Sequence, residues 1–261
     1  MSAFSRLTLS ATLLSALAAV PLTAQQLHTN TRWKQCAIVL DPSLTPGAWH
    51  RFVSELDQVL YYRPQIGARP LGRGQFEFSV LQTSTRIDTK SSAWNDTFSH
   101  PDSTHWLTEG NALPIPSLAV RAGVSDRLDV GGFITKNFQS NYGLVGAQGQ
   151  YALRTPAHGG IAVAGRVNAA WLFGPADMTY GVYGVDLVAS RRVSRFEPYA
   201  VLSGHVGHGA ERTTKVDLPS QTLLGAHATL GMTVDLAGVR LAAEYTAARV
   251  DGYAFKVGYA F

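Results

Sequence analysis

The chain lacks several features on which common classes of protein depend. It has one cysteine, Cys36, in 261 residues, so an internal disulfide framework is excluded. After residue 24 no stretch approaches 18 consecutive apolar residues, which excludes a helical membrane protein. Charged residues make up 15% of the chain, below the roughly 25% that is typical of soluble domains. No basic cluster is interleaved with aromatic residues, so we expect no nucleic-acid partner.

Residues 1–24 have the organisation of a secretory signal peptide. Arg6 supplies the positive charge, residues 7–20 are apolar or small, and Ala24 is suited to cleavage before Gln25. The apolar stretch is shorter than the roughly 20 residues of a spanning helix, so we predict a cleaved signal rather than a membrane anchor. Cleavage removes Arg6 and lowers the formal net charge of +4 by one.

From about residue 74 the apolar pattern has a period of two. In the last segment Tyr253, Phe255, Val257, Tyr259 and Phe261 alternate with small or charged residues. Such alternation over about ten residues is typical of a strand with one face in lipid and the other towards a lumen. Ten such segments follow one another along the chain: 74–84, 115–124, 128–137, 142–153, 160–173, 178–190, 195–207, 222–234, 239–248 and 252–261.

The connections between these segments differ in length from one side to the other. On one side they are all short: 125–127, 154–159, 191–194 and 235–238. On the other side they include the two longest: 85–114, 138–141, 174–177, 208–221 and 249–251. We therefore predict an all-β, antiparallel up-and-down transmembrane β-barrel of about ten strands, with eight and twelve as alternative counts. The competing fold is a soluble barrel or sandwich, which would have to hide the apolar face of residues 253–261 against a second sheet.

These features together resemble a known group of proteins. The signal, the alternating segments and the terminal Phe261 are similar to Gram-negative outer-membrane β-barrel proteins, and residues 123–131 resemble the first periplasmic hairpin of porin-like and hypothetical outer-membrane proteins. The resemblance covers residues 74–261. It implies location in the cell outer membrane, lipid and the barrel-assembly machinery as partners, and Tyr259 and Phe261 as the assembly signal. It assigns no substrate, and we expect no cofactor.

Residues 25–73 lie outside that resemblance and are predicted to form a periplasmic extension. Thr45 and Pro46 make a typical helix start, and apolar residues recur at helical spacing from Trp49 to Leu60. We predict an amphipathic helix over 46–61. An isolated helix of this length is marginal in water, so we expect it to cap one mouth of the barrel. Plugging the lumen and binding a periplasmic partner are the alternatives.

The alternation also assigns side chains to the inside of the barrel. Four acidic and four basic residues fall there: Glu77, Arg121, Asp129, Arg166, Asp186, Arg240, Glu244 and Lys256. Buried charges are costly unless they are paired, so we predict an ion-pair network in the lumen. A barrel of about this size has an interior that side chains can fill. We therefore predict a structural or interaction role with a largely filled lumen. The alternative is a narrow porin-like channel for small polar solutes or ions.

We do not predict an enzyme. Ser203 and His205 share one face of a predicted strand, with Asp186 on the strand before, and a hydrolase would need them within hydrogen-bond reach. Polar residues near a strand end are ordinary at the rim of a barrel, and no G-x-S-x-G motif is present. A membrane-embedded lipid or peptide hydrolase is therefore kept as the third hypothesis.

The long connection 85–114 holds two histidines, His100 and His105, close to two aspartates and several aromatic residues. Imidazole and carboxylate together could ligate a transition metal. The two histidines are five residues apart on either side of a proline, and no predicted helix or strand holds their side chains in a fixed arrangement. We therefore predict no metal site. We expect the aromatic residues to pack the loop onto the rim or into the mouth as a lid.

Overall fold

The computed structural model describes residues 37–88, 90–98, 113–136, 140–156 and 159–261, so the predicted signal peptide lies outside the described residues. Within these ranges ten antiparallel strands form one closed barrel, each paired with its neighbours in the chain. The strands are β1 Phe76–Thr85, β2 Leu113–Gly123, β3 Leu128–Lys136, β4 Gly143–Arg154, β5 Ile161–Phe173, β6 Met178–Arg191, β7 Phe196–Glu211, β8 Gln221–Leu236, β9 Val239–Ala247 and β10 Gly252–Ala260.

The predicted up-and-down barrel of ten strands is confirmed, and the strand bounds mostly agree within two residues. The exception is β7, which continues to Glu211, because residues 208–211 still pair with β6. The competing sandwich is wrong: in the described part of the chain there is a single closed sheet, and no second sheet covers residues 253–261.

The barrel closes where the last strand meets the first. β1 and β10 pair over their whole length. Beyond the end of β10, the amide nitrogens of Phe76 and Phe261 each donate to the other residue's carbonyl at 2.9 Å. The ring of Phe261 stacks beside those of Phe76, Phe78 and Tyr259. The chain end therefore belongs to the seam of the barrel.

The two faces of the strands differ as the alternation predicts. In β10, Phe255 is 60% exposed and Val257 is 57% exposed. The alternate residues Ala254 and Lys256 are buried. The residues that the pattern places outward on the other strands are likewise exposed or half-exposed. The outside of the barrel is therefore a continuous apolar surface, and the polar side chains point inward.

Helix α1 spans Pro46–Leu60, close to the predicted 46–61. The Thr45 side chain caps it by accepting from the amide of Ala48 at 3.3 Å, and Pro46 occupies the first turn. A short helix α2, Ser92–Asn95, lies in the connection between β1 and β2. No helix among the described residues is long and apolar enough to cross a membrane.

The described residues that precede β1 run through the inside of the barrel. We call residues 37–75 the inner segment. At one end, the amides of Ile38 and Leu40 donate to Asn141 and Asp177, in two of the connections on the side with the long loops. At the other end, the amide of Gly74 donates to the carbonyl of Gly123 at 2.8 Å, beside a short turn. We call these the long-loop end and the short-turn end of the barrel.

Opposite walls of the barrel contact the middle of the inner segment. Gln150 on β4 and Arg166 on β5 donate to the carbonyls of Gly67 and Ile66. From across the barrel, Lys256 on β10 donates to the carbonyl of Pro64 at 3.3 Å. A segment contacted from both sides lies inside the lumen. The sequence predicts a periplasmic extension whose helix caps one mouth, with plugging of the lumen as an alternative. In the structure the inner segment lies within the barrel, and α1 lies at the long-loop end.

Candidate functional site

The structure brings together seven of the eight predicted inward charges in ion pairs. All eight are buried except Arg240, which is half-buried. Two groups form. The first joins Glu77, Arg121, Asp129, Arg240 and Lys256, and the second joins Arg166 and Asp186. Both lie between the inner segment and the barrel wall, so the charges hold this segment as well as each other.

Glu77 is the centre of the first group. Its Oε1 accepts from Lys256 Nζ at 2.9 Å, and its Oε2 accepts from Arg240 Nη1 at 2.9 Å. Arg121 lies 4.0 Å from the same carboxylate and also pairs with Asp129 at 2.5 Å. Asp129 in turn accepts from an amide of the inner segment. The Glu77 carboxylate therefore lies within ion-pair distance of three cations, of which Arg121 and Lys256 are buried and Arg240 is half-buried.

The second group is centred on Asp186. Arg166 Nη1 donates to its Oδ2 at 3.1 Å, and the hydroxyl of Tyr61 donates to its Oδ1 at 2.5 Å. Asn168 donates to the same tyrosine hydroxyl at 2.9 Å. Tyr61 directly follows α1, so this group fastens the point where the inner segment leaves the helix.

Glu244 corrects the predicted network. It is buried on the inward face, yet no cation of the described residues lies within ion-pair distance of it. Its partner is the hydroxyl of Tyr199, which donates to Oε1 at 2.6 Å. The physical reason is register: Glu244 stands opposite Ala254 and Gly231 on its two neighbouring strands, and neither carries a charge.

Several polar residues of the inner segment belong to the lumen and were not predicted to do so. Asp57, Gln58, Tyr61 and Arg63 are all buried. Asp57 accepts a hydrogen bond from the Tyr180 hydroxyl. Burial raises the pKa of the Asp57 carboxyl to about 6, against the lowering effect of that hydrogen bond. The only sequence signal was the density of polar residues on a helix that also carries a full apolar face.

The residues of the hydrolase hypothesis are close together but lack its geometry. His205 bonds through Nε2 to the Gln58 amide at 3.1 Å, and the Asp186 carboxylate is occupied by Arg166 and Tyr61. Ser203 Oγ has no hydrogen-bond partner among the described residues. The serine is therefore not bonded to a base, and the aspartate does not orient the histidine.

The inward face of β8 is not equally buried along its length. Along β8 the inward-facing Gln221, Leu223 and Gly225 are half-buried, and so are Gly231 and Thr233 near the other end. Between them His227 and Thr229 are buried, and the His227 ring meets the ring of Tyr61 edge-on at 4.6 Å. The half-buried inward positions of β8 therefore lie towards its two ends, and its middle is packed against the inner segment.

The apolar face of α1 closes the long-loop end. Trp49, Phe52, Trp94 and Phe98 are buried together, with Trp94 and Phe98 supplied by the long connection. The indole of Trp94 also donates to Glu55 at 2.5 Å. This part of the connection thus packs into the mouth, as predicted. His100 and His105 lie outside the described residues, and in the described part of the chain no group of three or more His, Cys, Asp or Glu could hold a metal ion.

No protein-family model matches the chain, and no curated protein matches it. Among solved structures it is similar to an outer-membrane channel from Pseudomonas putida F1, at 12% identity and a TM-score of 0.47, covering 77% of this chain and 100% of that one. It is also similar to the attachment invasion locus protein Ail of Yersinia pestis, at 13% identity and a TM-score of 0.31, covering 72% of this chain and 99% of that one. The N-terminal β-barrel domain of OprF from Pseudomonas aeruginosa shares 8% identity, with a TM-score of 0.29, covering 73% of this chain and 99% of that one. The chain's own closed ten-stranded sheet confirms the barrel fold that the resemblance implied.

Proposed function

We propose that the protein is an integral protein of the cell outer membrane with a structural or interaction role, and that its own inner segment keeps the barrel closed. The observation that carries this proposal is the apolar surface around the whole barrel. Val185, Leu202 and Phe255, on three different strands, are each at least 60% exposed. Soluble proteins rarely expose apolar patches of more than a few hundred Å². A lipid bilayer is the environment in which such a surface is stable.

The interior supports the closed state. The inner segment runs from the long-loop end to the short-turn end and is contacted by at least four strands. Its aromatic residues cover one mouth, and the charges of the lumen are largely paired with each other. A solute would have to displace these contacts to pass.

A barrel in the outer membrane requires export across the inner membrane and assembly in the outer one. The signal peptide would direct the chain to the periplasm, and Tyr259 and Phe261 would be read by the barrel-assembly machinery. Both residues lie at the seam between β1 and β10, where the first and last strands pair. Outer-membrane lipid is then the permanent partner of the barrel.

The test is reconstitution of the mature chain into lipid vesicles and planar bilayers. We expect heat-modifiable migration on a gel, which reports a folded barrel, together with negligible single-channel conductance. A chain that stays in solution and does not associate with vesicles would overturn the membrane assignment. Steady, discrete openings from the inserted barrel would instead overturn the closed structural role.

The half-buried inward face of β8 favours one second candidate, a narrow channel for small polar solutes or ions. Its narrowest point would be at Tyr61, His227 and Thr229. This candidate predicts discrete conductance that changes when Arg240 or Glu244 is neutralised to Gln. Conductance that is the same in both variants would count against a path along these charges.

A further inference from the structure

A cavity of about 240 Å³ lies at the long-loop end, between α1 and the wall formed by β8. One face of the helix lines it, with His50, Ser54, Asp57 and Gln58 one or two turns apart. Arg249, in the connection between β9 and β10, completes the lining. His50 and Arg249 are exposed, so the cavity is reached from the medium at that end of the barrel.

One buried side chain that lines this cavity, Gln58, has an atom without a hydrogen-bond partner. Gln58 is 3% exposed, and its amide nitrogen is taken by the His205 ring at 3.1 Å. Its amide oxygen has no partner among the described residues. A buried polar atom without a partner is unfavourable, and such atoms are usually satisfied by protein, water or ligand. Gln58 therefore lines the cavity with one amide atom bonded to His205 and with an amide oxygen that the described residues leave unpaired.

The charges of the lining define what would fit. Asp57 is held by the Tyr180 hydroxyl, which fixes the position of its carboxylate. Arg249 supplies a guanidinium at the rim of the same cavity. A ligand with an ammonium group could donate to Asp57 and Gln58, while a carboxylate on the same ligand could accept from Arg249. The volume lies below the roughly 300–1,000 Å³ of sites for drug-sized ligands, so the ligand must be small.

We propose that this cavity binds a zwitterionic solute of amino-acid size from the medium. The ammonium group is bound by Asp57 and the Gln58 amide, and the carboxylate is bound by Arg249. The proposal does not require a conducting lumen, because the cavity lies on the long-loop side of the buried rings of Tyr61 and His227. It adds a ligand to a barrel that is otherwise proposed to be structural.

The test uses the folded full mature chain in detergent and isothermal titration with three probes of matched size: L-alanine, propionate and isopropylamine. Alanine carries both charges, and the other two carry one each. We expect alanine to bind roughly tenfold more tightly than either, since each charged hydrogen bond that is lost costs about a factor of ten or more. Equal affinities for the three probes, or no binding of alanine by the folded barrel, would overturn the proposal.

The exposed position of Arg249 gives a variant that leaves the fold intact. Arg249→Gln should weaken alanine binding roughly tenfold and leave isopropylamine binding unchanged. Arg249→Glu should reverse the preference, so that isopropylamine binds more tightly than alanine. Arg212→Gln, at an exposed arginine in the neighbouring connection, is the matched control and should change neither. An Arg249→Glu barrel that still prefers alanine would refute the assignment of the carboxylate.

Asp57→Asn tests the other end of the ligand. It should weaken alanine and isopropylamine binding and leave propionate unaffected, a selectivity that mere loosening of α1 would not produce. Heat-modifiable migration checks that each variant is folded. Failure of the proposed function appears as failure to associate with lipid, whereas failure of this proposal appears as a folded, membrane-inserted barrel that does not discriminate the three probes.

Discussion

Neutralising Glu77 is the sharpest test of the ion-paired interior. In Glu77→Gln the carboxylate that accepts from Lys256 and Arg240 becomes a neutral amide of nearly the same size. Asp235 adds a further anion to the first group by pairing with Arg240 at 3.4 Å. Before the change, three anions (Glu77, Asp129 and Asp235) therefore balance three cations. Afterwards one positive charge is left without compensation in a buried place. Removing one partner of a buried pair costs about 3–5 kcal/mol, so we expect the free energy of unfolding to fall by about that amount.

The assay is denaturant-induced unfolding of the barrel in lipid vesicles, followed by tryptophan fluorescence. The matched control is Lys215→Gln, which breaks an exposed pair with Asp177 and should change stability by about 0–1 kcal/mol. The double variant Glu77→Gln with Lys256→Met removes the stranded ammonium and should recover part of the loss. A Glu77→Gln barrel as stable as the wild type, within about 0.5 kcal/mol, would refute the view that these charges hold the interior together.

Three further outcomes are expected. Gly184→Val should raise bilayer conductance, because a Cβ at Gly184 would overlap the Tyr61 ring and push the inner segment away from the wall. The control Gly165→Val should leave the conductance unchanged, because a Cβ at Gly165 would meet no neighbouring atom. Alanine binding should weaken as the pH falls through about 6, because burial raises the pKa of Asp57 to about 6 and its carboxylate is then protonated. Asp57→Asn should abolish this pH dependence in isothermal titration. Phe261→Ala should lower the amount of barrel in the outer-membrane fraction of cells while refolding of the purified chain into vesicles stays near normal, and equal amounts in cells would contradict the assembly role.

The strands were predictable because their signal is local. In residues 253–261 every second residue is large and apolar, and a strand places these on one face whatever surrounds it. The last four residues of β7 were missed for the opposite reason. His208, Gly209, Ala210 and Glu211 carry no apolar alternation, and they are extended because β6 offers a partner as far as Met178.

The membership of the ion-pair network was predictable only in part. Alternation was enough to place Glu77 and Glu244 inside the barrel. Which of them meets a cation depends on how the strands are aligned. Glu77 stands opposite Arg121 and is also reached by Lys256 and Arg240, whereas Glu244 stands opposite residues without charge. Register arises from pairing between segments that are distant in the sequence, so it cannot be predicted from the residues of one strand.

The sequence by itself determined that the chain forms a barrel of about ten strands and which side chains face inward, and the structure decided among eight, ten and twelve strands. It also determined that α1 exists, because capping and apolar spacing are properties of neighbouring residues. Only the tertiary structure decided where that helix lies. An amphipathic helix must cover its apolar face, but the residues that cover it, such as Trp94, and the inward glycine that makes room for Tyr61 come from distant parts of the chain. Their meeting depends on closure of the barrel, which no local pattern encodes.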